Sequence, residues 1–82
     1  MLNTISINRV IRRACFKENG AYVREKELAQ TDFGFIINEY NLIPRRTFAK
    51  ADFCQGIEMV EDAWHRFDLL TCDPAWEDMQ LE

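Results

Sequence analysis

Apolar residues recur in this chain at intervals of three and four, and that spacing constrains its fold more than any other feature. It is the interval that gathers side chains on one face of an α-helix. Ile7, Val10, Ile11, Ala14 and Cys15 fall at i, i+3, i+4, i+7 and i+8. Ser6 suits the N-cap of such a helix, and Ile5 before it can meet Val10 in a hydrophobic staple. Asn19-Gly20 supplies a stop, with Gly20 free to adopt the left-handed conformation. Phe33, Ile36, Ile37 and Tyr40 repeat the pattern, with Asp32 as cap and Asn41 as terminator. Gly34 inside that segment weakens it by about 1 kcal/mol relative to Ala.

Phe53, Ile57, Val60, Trp64 and Phe67 step by 4, 3, 4 and 3, which predicts the longest helix from Asp52 to about Leu70. Between these elements the signals are mixed. Tyr22-Val23 suits a short extended piece, whereas Glu25–Gln30 has good helix formers, and the reading of Ala21–Thr31 is a short helix. Leu42-Ile43-Pro44 breaks the chain direction, because the residue before Pro avoids the helical region. Asp73-Pro74 reads as a cap followed by Pro at the first helical position, opening a terminal helix of two turns that carries Trp76. The expected fold is all-α, a compact single domain over residues 1–82 built from four to five short helices. Val10, Ile11, Ile36, Ile37, Ile57, Val60 and Phe67 are expected to share its core.

Charge is sorted along the chain. Met1–Lys50 holds nine Lys and Arg against five acids, a net +4, whereas Ala51–Glu82 holds Arg66 alone against nine acids, a net −8. Such a molecule either neutralises itself in three dimensions or offers partners one basic and one acidic surface. At 82 residues it buries about two-thirds of the surface its unfolded chain exposes. No apolar run approaches the roughly 18–20 residues of a membrane span, and the N-terminus lacks the basic and apolar regions of a signal peptide. Cys15, Cys54 and Cys72 are odd in number and widely spaced, which predicts reduced thiols and a cytoplasmic setting rather than a disulfide framework.

Chemistry-bearing motifs are absent. Glu58, Asp62 and His65 lie at i, i+4 and i+7, with Cys72 a few residues on, a spacing that can hold a divalent ion. One His and no close Cys pair make a solvent face the better reading, and no metal or cofactor is expected. No phosphate loop, nucleophile elbow or spaced carboxylate dyad points to an enzyme.

Two binding readings remain. In the leading one a non-enzymatic helical protein occupies a surface of another protein. Arg9, Arg12, Arg13 and Lys17 form its basic face, and Glu58, Glu61, Asp62 and Asp68 its acidic one. In the alternative, Asp32–Asn41 and the Pro44–Phe48 region form a helix-turn-helix DNA-binding regulator, with Arg45, Arg46 and Thr47 meeting bases and phosphates. Leu42 stands where the turn of such a motif would be expected to carry Gly.

Ile11-Arg12-Arg13-Ala14-Cys15-Phe16, Ile43-Pro44-Arg45-Arg46-Thr47-Phe48 and Glu58-Met59-Val60-Glu61-Asp62-Ala63-Trp64 resemble segments of small accessory proteins of temperate phages and prophages of enteric bacteria. The resemblance implies a bacterial cytoplasm and an accessory role, either controlling phage genes or binding a host or phage protein, and it does not separate the two binding readings. It brings no site residues with it.

Overall fold

The computed structural model describes residues 6–54 and 59–81, and most of them are strand. Five antiparallel strands form one sheet: β1 (Ile7–Glu18), β2 (Ala21–Thr31), β3 (Gly34–Asn41), β4 (Thr47–Cys54) and β5 (Trp76–Met79), in the order β4-β3-β2-β1-β5. Among the described residues a single helix, α1 (Val60–Leu70), precedes β5 and packs on one face. The all-α bundle is therefore incorrect, and so are the helical binding protein and the helix-turn-helix built on it.

The reason lies in turns and bulges. Asn19 and Gly20 both adopt positive φ, +51° and +81°, and Glu18 pairs with Ala21 across them. Asn-Gly between two extended runs is the preferred two-residue hairpin loop, because its twist matches that of the strands. The same dipeptide that suits a helix C-terminus here folds β1 back on β2. A second tight turn joins β2 to β3, where Thr31 Oγ1 accepts from the Phe33 N–H and donates to the Gly34 carbonyl, both at 3.1 Å. Gly34, at φ +119°, begins the next strand rather than weakening a helix.

Strand β1 loses its alternation to two extra residues. The pairing skips Asn8 and Ile11, so each bulge shifts the face on which the following side chains emerge. Ala14 lies on the helix side with Ile11 packed nearby, whereas Val10 and Cys15 pair with Ala29 and Glu25 on the far side. Residues three and four apart therefore mimic a helical stripe while being divided between two faces. Strand β3 misleads differently: Phe35, Ile36, Ile37, Asn38 and Glu39 are buried in succession, so no exposed position marks a solvent face.

The core sits between α1 and the sheet. Ala63 and Phe67 of the helix are fully buried against Ala14, Leu28, Phe35, Ile37 and Cys54, flanked by Ile11, Leu70 and Trp76. Of the expected shared core, Ile37 and Phe67 meet here, Ile36 is buried on the opposite face, Val60 is exposed, and Ile57 lies outside the described residues. The predicted Asp52–Leu70 helix survives only as α1, since Asp52 and Phe53 belong to β4. Glu61 and Asp62 in the first turn favour the helix dipole, and Thr71 Oγ1 donates to the Phe67 carbonyl at 2.8 Å. No basic residue ends the helix, but Lys26 of β2 reaches the Leu70 carbonyl at 3.1 Å and supplies that cation from the sheet. Beyond it, Asp73 accepts from the Ala75 N–H at 2.8 Å, as a cap would, yet the chain continues into β5 and not into a terminal helix.

Candidate functional site

Much of the polarity of the sequence is consumed inside the fold. Arg12 hydrogen-bonds Asp68 of α1 and Asp78 of β5, and its guanidinium lies 4.7 Å from the Trp64 ring centroid and 4.8 Å from that of Phe67. Burial opposes its charge, but Asp78 and Asp68 more than offset that and raise its pKa. Lys17 meets Glu77 at 2.8 Å, and Tyr22 donates to the same carboxylate at 2.7 Å. These two partners hold Glu77 below the usual carboxylate range. Two acidic elements, α1 and β5, thus both reach the basic strand β1, and the two halves of the chain partly neutralise each other.

The expected basic face does not exist as a face. Arg12 points to the helix side, Arg13 pairs opposite Glu27 on the far side, Lys17 is engaged by Glu77, and Arg9 is exposed. On the acidic side, Asp68 is bound to Arg12, and Glu61 and Asp62 are exposed at the start of α1. Glu58 lies outside the described residues. Arg45 and Arg46 sit in the loop before β4, which Thr47 opens, and not on a recognition helix. Among the described residues no group of three or more His, Cys, Asp or Glu is placed to hold a metal ion. Burial pushes the Cys15 and Cys54 thiols up, which disfavours the thiolates that nucleophilic chemistry needs.

On the far side of the sheet lies a polar cluster that sequence reasoning missed. Glu25 and Glu27, two residues apart on β2, are both buried, with side chains 4% and 6% exposed. Arg46 reaches Glu25 at 3.2 Å and Glu27 at 3.4 Å, and its guanidinium stacks 3.5 Å from the centre of the Tyr40 ring. Tyr40 donates to Glu27 at 2.6 Å and Asn38 donates to the same oxygen at 3.1 Å. Arg13 approaches Glu25 at 3.5 Å. Burial raises the pKa of Tyr40, and its bond to Glu27 adds to the effect. The cluster's donors and acceptors are largely spent on one another. It fixes the loop carrying Arg46 to the sheet, and so sets where β4 begins.

That strand is the open feature of the molecule. β4 is eight residues long and forms one edge of the sheet, whereas β5 at the other edge has four. Lys50 pairs with Glu39 and Phe48 with Tyr40, so Ala49 is an extra, bulged residue. The bulge puts Phe48 on the same face as Phe53, which no regular strand does for residues five apart. Both rings face away from the helix and are well exposed, 61% and 53%, with Phe48 edge-on to Tyr40 at 5.9 Å. Lys50 and Asp52 occupy the helix-side face of the same strand, where Asp52 meets Arg66 of α1 at 3.1 Å. They border a cleft of about 270 Å3 that Lys26, Ile37, Glu39, Ala51 and Leu70 complete.

Comparison with protein-family models, with curated proteins and with solved structures finds no match to this chain.

Proposed function

We propose that the protein is a non-catalytic interaction module that binds another polypeptide by adding that chain's strand to the β4 edge. The observation that carries this reading is the edge itself: eight residues of strand whose outer backbone groups have no partner among the described residues, bearing Phe48 and Phe53 on one face. Unpaired backbone donors and acceptors give such an edge affinity, and alternate side chains give it selectivity. Exposed aromatics beside it supply apolar area that a solvated edge does not need. A polypeptide suits these groups better than a nucleic acid does, because the cations Arg12, Lys17, Arg46 and Arg66 are already committed to carboxylates. The setting we assign is the bacterial cytoplasm, in keeping with the resemblance to phage accessory proteins and with three free cysteines. No helix among the described residues is long and apolar enough to cross a membrane.

Selection from a displayed library of unstructured peptides tests this. Enriched ligands should read as short alternating apolar and polar strands, shift the amide resonances of residues 47–54, and lose binding to the Phe48→Lys, Phe53→Lys variant. Ligands that map to α1, or binding indifferent to both substitutions, would remove the reading.

A further inference from the structure

We infer that the strand accepted by β4 is β4 of a second copy of this chain, in an antiparallel dimer whose twofold axis passes at Ala51. This rests on the edge-binding reading above and names its occupant.

The β4 edge is self-complementary. In an antiparallel pair about a twofold axis, residues opposite each other have numbers with a constant sum. With Ala51 opposite Ala51 of the second copy, Lys50 stands opposite its Asp52, and Asp52 opposite its Lys50. All four lie on the helix-side face, since Lys50 and Asp52 pair with Glu39 and Ile37 of β3. Opposite charges directly across a strand pair are favourable and like charges are not. The next position outward tests the register independently. Phe53 falls opposite the bulge at Ala49, where two residues of one strand share a single partner, as Tyr40 already does on β3. Phe53 therefore meets Phe48 of the other copy on the far face, and the symmetric contact repeats on the other side of the axis. One register pairs both charges and covers both exposed aromatic rings at once.

Other features agree. Lys50 and a bulge are devices by which a sheet edge discourages indiscriminate pairing. Here both become complementary only to a strand carrying an acid two residues after its own lysine. Ala51 at the axis is small enough for its counterpart to approach. Asp52 accepts from Arg66 through both of its oxygens, yet its side chain stays 43% exposed to an approaching cation. Stable complexes bury roughly 1,200–2,000 Å2, and one eight-residue strand from each copy is a narrow contact, so the dimer should be reversible.

Sedimentation velocity of the full chain between about 5 and 500 μM should show monomer converting to dimer, a range typical of weak interfaces. K50D sets an aspartate against the partner's Asp52 on each side of the axis, and D52K likewise sets a lysine against its Lys50. Each variant alone should weaken the dimer about tenfold or more, as two attractions become two repulsions. An equimolar mixture should restore it as a heterodimer, because each variant carries the charges the other lacks. Restoration also shows that neither substitution has unfolded the chain. A wild-type chain that stays monomeric throughout would overturn the inference, as would a dimer indifferent to K50D or a mixture that fails to reassociate. If the selected peptides nevertheless bind at residues 47–54, edge binding stands and only its occupant is wrong. If they bind elsewhere, the edge-binding reading fails with it.

Discussion

Arg46 is the residue on which the far face depends. It is half-exposed, yet it is the cation shared by two nearly inaccessible carboxylates, and removing it leaves Glu27 with only neutral donors and Glu25 with Arg13 at 3.5 Å. Arg46→Met should cost about 1–2 kcal/mol in urea denaturation, less than the several expected for a fully buried pair because solvent already screens the guanidinium. Adding Glu27→Gln should recover part of that loss, since it removes one of the two stranded charges. Tyr40 gives the same cluster a pH signature. Its pKa is raised in the folded chain by burial and then by Glu27, so the folded state holds the proton more tightly than the unfolded one. That contribution is complete below the ordinary tyrosine range and is lost as pH rises through it toward the folded value. Stability followed from pH 8 to pH 11 should fall, and Tyr40→Phe should flatten part of the decline.

The turns and the helix carry separable shares of the fold. Gly20 sits at φ +81° with open space where a Cβ would go, so Gly20→Ala introduces backbone strain without a clash. A cost of about 1–2 kcal/mol, read from the denaturation midpoint, is the expectation for an L-residue forced into that region. Asn19-Gly20 is legible in the sequence as a two-residue hairpin loop. Reading it as a helix stop gives precedence to an apolar spacing that the bulges at Asn8 and Ile11 produce by chance. Phe67 tests the other layer. It is fully buried in the only helix among the described residues, and Phe67→Ala should cost about 3–5 kcal/mol, enough to leave a domain of this size close to unfolding. Of the expected elements, α1 alone is visible in the sequence as a helix. Its inward residues Ala63, Phe67 and Leu70 keep helical spacing along one uninterrupted face.

For the whole molecule the decisive quantity is how charge is placed. The +4 and −8 halves interleave, with acidic α1 and β5 on either side of Arg12 and with Glu77 on Lys17. The basic surface left over is scattered, and the net charge of −4 repels a polyanion. Fluorescence anisotropy with a labelled DNA duplex should therefore show binding no tighter than the roughly 10⁻⁴–10⁻⁶ M of nonspecific contacts, steeply weakened by salt. Arg45→Ala should change it little. A nanomolar, sequence-selective complex would mean that the exposed cations gather into a surface this fold does not present.

By itself the chain determined a helix ending near Leu70, a tight turn at Asn19-Gly20, a break at Pro44 and a charge imbalance that had to be resolved. These are local properties, set by backbone preferences and composition. Which face each side chain occupies was decided only by pairing. A bulge moves every following residue to the other side of the sheet, and nothing in the spacing of β1 or β4 marks where the extra residue falls. The same holds for the buried Glu25 and Glu27, whose partners Tyr40 and Arg46 lie 13 to 21 residues away. The exposed pair Phe48 and Phe53 is a product of register as well. Tertiary pairing made a candidate interaction edge of residues that, in order along the chain, share no face at all.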